Sequence, residues 1–510
     1  MRAVQLVPAA LVLVALGAIG GVAQLGHPAA APPPASSPAA TRQVPVTSAA
    51  RACPPAPGGG AAPVALLAGG ASATGPGQVE LIALPPAGLP VRATGPVRAQ
   101  SPGALSLLTL PAAPAASRAK AKIGTPAAQG WSVAGDGTMA QGMEAELTQG
   151  SGLASVRCAE PGSDLWFLGP GQANGGSQVQ LDLMNVDSTA ASVDVSVIND
   201  AGQAQVGGDD GITVPPHQTV TESLSLVAHG SSVLAIEVHT SIGRVAAAVS
   251  AESHGTTSWL PGTASPSTRL VIPGVPPSGS TAGLFVADPG TSTAKVTVTA
   301  ITPQGHIRPF GSQSVDVPGQ SASYVALSPL GGTTAALQLT SNVPITATVL
   351  VPGSGPGVLT SATPPISELA IVAGNTSGAG LAASVLLSAP GAAARVRLTE
   401  IAPADRASAS GTGAGGTSAN GASRSVTASQ VVPVKAGRTL AAAVTAPKGA
   451  RPGSAFAVVI TPLAGSGPVY AARVETQDQK TVVSIIPAAS ALTTISLRPV
   501  RDSYDAIWPS

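Results

Sequence analysis

Aromatic side chains make up 2 % of this 510-residue chain and charged ones 10 %, and there are two cysteines. Each scarcity excludes something. With 25 basic against 24 acidic residues, the chain has neither the basic face nor the stacking aromatics of a nucleic-acid binder, so no nucleic-acid partner is expected. Two cysteines are too few for a disulfide scaffold, though enough for one bridge. Clean helical periodicity is missing beyond the N-terminus, because Gly, Pro, Ser or Thr breaks the Ala-rich runs. There is no G-x-S-x-G, no Walker A sequence and no strand-to-helix G-x-G-x-x-G.

What is there is aliphatic. Hydrophobic residues reach 44 %, with 60 Gly and 49 Pro, so cores of Ala, Val, Leu and Ile must sit between many turns. That composition predicts an all-β protein. The clearest stretch is 177–202, where Val179, Leu181 and Leu183, then Val193, Val195 and Val197, alternate with polar residues around an Asn/Asp/Ser turn. It reads as two half-buried antiparallel strands. The pattern returns at 282–305 and 380–401, and each return follows a short apolar strand: Asp164–Pro170, Arg269–Val275, Glu368–Asn375. A degenerate first copy precedes them, with Val64–Gly70 matched to Trp166–Gly171 and Gln78-Val-Glu-Leu matched to Gln178-Val-Gln-Leu.

A period of about 100 residues with about seven strands predicts tandem immunoglobulin-like β-sandwich repeats. The alternative is a β-propeller built from paired blades. The copies lack the Cys…Trp…Cys pattern of antibody domains, so true antibody-type domains are not expected. The expected organisation is a helix at 1–25, a Pro/Ala-rich linker at 26–52 and a degenerate repeat at 53–160. Repeats at 161–267, 268–367 and 368–510 follow, the last with a flexible Gly/Ser loop at 405–427 and a closing C-terminal strand.

Arg2 precedes an apolar run to Leu25, which reads as an export signal. Its length suits an uncleaved membrane-spanning helix, while Gly21-Val22-Ala23 would suit signal cleavage and secretion. Export places Cys53 and Cys158 in a disulfide-permissive compartment, where they are expected to pair. The loop so closed, of roughly 105 residues, corresponds to about 4–5 kcal/mol in the chain-entropy model.

Candidate chemistry is sparse. His217, His229, His239 and His254 fall in one copy without metal-ligand spacing, and no metal or cofactor is expected. Asp200, Asp209 and Asp210 lie in a Gly-rich turn that lacks calcium-loop order. Trp131, Trp166, Trp259 and Trp508 are isolated, which favours packing at junctions over a sugar-stacking platform. No catalytic residues are assigned.

The Cys53-Pro-Pro opening, Arg157-Cys-Ala-Glu-Pro and Trp166-Phe-Leu-Gly together resemble a domain-of-unknown-function family, number 5719, of large exported actinobacterial proteins. The resemblance would cover most of 53–500. It implies export or membrane anchoring and carries over no catalytic residue. The expected function is a non-enzymatic cell-envelope scaffold or interaction module, held to the cytoplasmic membrane and meeting an envelope protein or glycan. The alternatives are a glycan-binding module, or a polysaccharide- or peptidoglycan-modifying enzyme whose acids converge only in three dimensions.

Overall fold

The structure, a computed structural model, describes residues 42–56, 60–69, 76–91, 93–97, 101–112, 129–148, 155–172, 177–206, 211–253, 256–277, 281–309, 314–327, 330, 332–353, 357–378, 380–403, 425–478 and 480–497. The segment expected as a membrane helix, most of the linker, Asp209, Asp210, His254 and Trp508 lie outside them. No helix among the described residues is long and apolar enough to cross a membrane. Pro45–Thr494 form one unit. The strands Arg42–Pro45 and Thr494–Leu497, which belong to the other except for Pro45 and Thr494, pair with each other, and Gln43 Nε2 donates to Ser496 Oγ at 2.6 Å.

The protein is all-β, built from several antiparallel sheets. One eight-position connectivity occurs four times. In the second copy the strands are Asp164–Pro170, Ser177–Met184, Ala191–Asn199, Gly202–Val206 with Ile212–Val214, Thr219–Ser223, Val233–Ile242, Ala246–Ser253 and Thr256–Leu260. The first strand pairs with the sixth, the sixth with the third and the third with the fourth. The other sheet runs fifth, second, seventh, eighth. Sets beginning at Ser48, Ser267 and Ala370 repeat this order. In the third set, Ala335–Val351 supplies the sixth and seventh strands without a break and so joins two sheets. The order differs from the ABED and CFG sheets of an immunoglobulin constant domain.

The first copy is offset by one strand from its expected alignment. Ser48–Cys53, of which all but Cys53 lies in the stretch read as linker, is its first strand, in register with Gly130–Asp136. Ala62–Leu67 is therefore the second strand and Val79–Leu84 the third. Neighbouring strands carry the same alternation, so the alternation alone does not number them. Cys53 and Cys158 are bonded, their Cα atoms 4.2 Å apart. Trp131 lies opposite Cys53 in the ladder and shares its core with both half-cystines. This copy thus does join a tryptophan to a disulfide. At 425–427, where a flexible loop is expected, the strand Ser425–Val434 begins.

Alternation predicts one polar face per sheet, yet many strands are buried on both. In Ala282–Asp288 every residue is buried: Leu284 and Val286 face the copy's own core, while Phe285 and Ala287 join the core of the second copy. Val64 and Leu66 likewise face inward, whereas Ala65 and Leu67 meet Ile371 and Ala373 of the fourth copy. Ala52 and Leu84 of the first copy pack with Met184, Ala246 and Ala248 of the second. Leu386, Ala472, Val474 and Ile485 of the fourth enter the core of the third. The contacts run first to second to third to fourth and back to first, closing a circuit of eight sheets. Small residues on the second face let the sheets approach, which accounts for the alanine content and the scarcity of charge.

Candidate functional site

The eighth strand of every copy, Ser155–Arg157, Thr256–Leu260, Val358–Ser361 and Thr481–Pro487, has a single ladder neighbour. Such edges are ordinarily covered or blunted. Here all four contribute to the wall of one cavity of about 870 Å³, joined by Asp164–Phe167 and Thr363. The volume falls in the range of small-molecule sites, roughly 300–1,000 Å³.

Most of the wall is apolar, including Leu165, Phe167, Leu260, Leu350, Leu359 and Ile486. The charged lining residues, Arg157, Glu160 and Asp164, all fall within 155–164. Arg157 Nε donates to Glu144 Oε2 at 2.6 Å, and its Nη2 also contacts Glu144 Oε1. Arg51 Nε donates to the same carboxylate at 3.1 Å, and Arg51 Nη2 lies 3.3 Å from Glu160. Burial alone would raise the Glu144 pKa, but the two guanidiniums outweigh it and hold it below the usual carboxylate range. Asp164 accepts from Trp166 Nε1 at 2.9 Å and from Ser265 Oγ at 3.3 Å.

Behind the wall, Arg473 is fully buried. It donates to Glu146 at 2.6 Å, to the Gly374 carbonyl at 3.0 Å, and to the lining hydroxyls of Ser484 and Ser155 at 2.7 and 3.2 Å. Two residues of the wall each bury a polar atom that has no hydrogen-bond partner, Trp259 its Nε1 and Thr363 its hydroxyl.

The structure separates the sequence candidates. Trp166 and Trp259 meet at this cavity, while Trp131 belongs to the first core. Trp166 is 4 % exposed, which leaves little ring face for sugar stacking. His239 stands opposite Asp164 and Asp194 in the ladders, His229 ends a short helix, and His217 occupies a turn at φ 50°. Asp200 accepts from the Ser232 amide and hydroxyl, both at 2.9 Å, as a turn cap. Five carboxyls among the described residues have pKa values raised first by burial, Asp182 to about 6 and Glu222, Glu237, Asp288 and Glu475 in the same direction, and none lines the cavity.

Sequence reasoning missed Glu144, Glu146, Arg473 and Thr363. The available signal was charge inside apolar strands, as in Glu144–Thr148 and Tyr470–Gln477. In a chain with so few charges, such positions call for partners.

Residues 112–445 match the family described as a family of unknown function (DUF5719). No curated protein and no solved structure matches the chain.

Proposed function

We propose that this chain, which belongs to the DUF5719 family of unknown function, is a non-catalytic binding module of the cell envelope whose receptor site is the central cavity. One observation carries the reading: edge strands from all four copies converge on one mainly apolar cavity whose ionic groups already hold one another. The acids with raised pKa stand elsewhere, so the arrangement favours binding over acid–base chemistry. The positive N-terminus with its apolar run supports export and membrane anchoring. The Cys53–Cys158 bond fits an oxidising compartment. The fold reading that accompanies this is a propeller-like ring in which each copy supplies two interleaved blades, favoured over a row of independent immunoglobulin-like beads by the apolar second faces.

Native mass spectrometry of the full chain, isolated from cells that make it, tests the proposal. Wild type is expected to retain a small-molecule mass. Ser258→Trp and Val358→Trp, two half-buried wall positions, are expected to lose it at an unchanged thermal midpoint. A wild-type spectrum of the bare chain alone would overturn the receptor reading.

A further inference from the structure

Building on that reading, we infer the chemical class of the ligand: a short extended peptide with small or apolar side chains and a free amino terminus, held by backbone hydrogen bonds to open strand edges. Successive residues of a strand point to opposite faces, so a strand that turns a face to a space lends it every second residue. A strand that turns its edge lends consecutive ones. The wall is lined without skips by residues 155–160, 257–264, 357–359 and 483–487, so strand edges and their backbone border the cavity. Among the described residues, the backbone of Thr256–Leu260 hydrogen-bonds only to Ala246–Ser253, and that of Thr481–Pro487 only to Tyr470–Gln477. Alternate amide and carbonyl groups on the far side of both strands are therefore open.

Donors and acceptors alternate along such an edge, and another extended backbone presents the complementary series. A proline closes each run, Pro261 after the first strand and Pro487 at the end of the second, and has no N–H with which to continue. Residues 257–260 and 483–486 remain, about 14 Å each at about 3.4 Å per residue, so pairing extends over about four residues. Beside them Leu165, Phe167, Leu260, Leu359 and Ile486 suit small or apolar side chains. The charges set the polarity of the ends. Arg157 and Arg51 stand with three carboxylates, Glu144, Glu160 and Asp164, so the balance there is negative and favours an ammonium over a carboxylate. A hydrocarbon ligand would strip water from the open amides without replacing it. A glycan's hydroxyls lack the fixed alternation of donor and acceptor that an edge reads.

The probe is the pentapeptide amide Ala-Val-Thr-Val-Ala with a free amino terminus, titrated into the full chain by calorimetry. It is expected to bind saturably at micromolar concentration. Ser258→Trp and Val358→Trp should each weaken binding at least tenfold. Methylating the peptide's internal amide nitrogens, which keeps the side chains and removes the donors, should also weaken it at least tenfold. The acetylated free acid of the same sequence should bind about tenfold less well. Carbon-13-labelled carbonyls of the bound peptide should absorb at lower infrared frequency than those of the free peptide, as in a paired strand. Equal binding of the methylated peptide or of the acetylated acid, an unshifted carbonyl band, or displacement by methyl palmitate or chitotetraose would overturn the class. A retained native mass with no pentapeptide binding would sink this inference and leave the receptor reading intact. Loss of both would remove the two together.

Discussion

Asp182 sits where the alternation of Ser177–Met184 assigns a solvent-facing side chain, yet it is 4 % exposed. It shares the face of Met184, stands opposite Ala248 in one ladder, and accepts a hydrogen bond from Thr221 Oγ1 at 2.6 Å. Burial between the first and second copies, only partly countered by that bond, raises its pKa to about 6. Between about pH 4 and pH 6 the native state keeps a proton that the unfolded chain has lost, so stability falls as pH rises through that window. Above it the charged form costs roughly 3 kcal/mol, from about two pKa units. Asp182→Asn, which retains an acceptor for Thr221, should flatten this part of the pH–stability curve and raise the urea midpoint at pH 7. A variant whose curve overlays wild type from pH 4 to 7 would refute the assignment.

At the scale of strands, the close approach of sheets decides which substitutions the fold tolerates. Gly274 has φ +85°, and a Cβ there would lie 2.5 Å from Ala472 Cβ and 3.2 Å from Ile485 Cγ2, across the junction of the third and fourth copies. Gly465 has a similar φ of +81° with nothing within 4 Å. Gly465→Ala should therefore cost only the backbone term, about 1–2 kcal/mol. Gly274→Ala should add an overpacking term of about 1–3 kcal/mol. Equal shifts of the urea midpoint in the two variants would show that the junction yields freely. The same junctions mark the limit of what the sequence discloses. Period-2 alternation in 177–202 locates the strands, and the recurrent Asp164–Pro170, Arg269–Val275 and Glu368–Asn375 locate the copies. The alternation reports one apolar face, however, and Ala65, Ala287 or Ala472 on the other looks like a neutral spacer until a neighbouring sheet covers it. For the same reason the cavity was illegible: its wall is assembled from four strands about a hundred residues apart, each unremarkable alone. Trp166 and Trp259 stand in the sequence as isolated aromatics, and nothing in their spacing brings them together.

Closure of the whole circuit depends on a contact between its first and last copies. There Glu146 accepts from the Gly374 amide at 2.9 Å and from Arg473 at 2.6 Å, beside the apolar patch of Ala65, Leu67, Ile371 and Ala373. Burial alone would lower the Arg473 pKa, but Glu146 and Glu475 outweigh it and raise it, so the guanidinium stays charged at every pH the fold survives. Removing Arg473 strands Glu146 where water does not reach, and removing Glu146 leaves Arg473 only the more distant Glu475, at 3.9 Å. Arg473→Met and Glu146→Gln should each cost about 3–5 kcal/mol. The double variant leaves no uncompensated pair member and should cost less than the sum by about 0.5–3 kcal/mol, the coupling expected of groups in contact. Because the pair spans the first and fourth copies, its loss should also loosen that junction ahead of the others. Hydrogen exchange should quicken first in Ala62–Leu67 and Ala370–Asn375, while Ala282–Asp288 at the second junction stays protected. Additive costs in the cycle, or uniform exchange over all three strands, would mean that the circuit of contacts is held shut by its apolar faces and that the buried charges are incidental to closure.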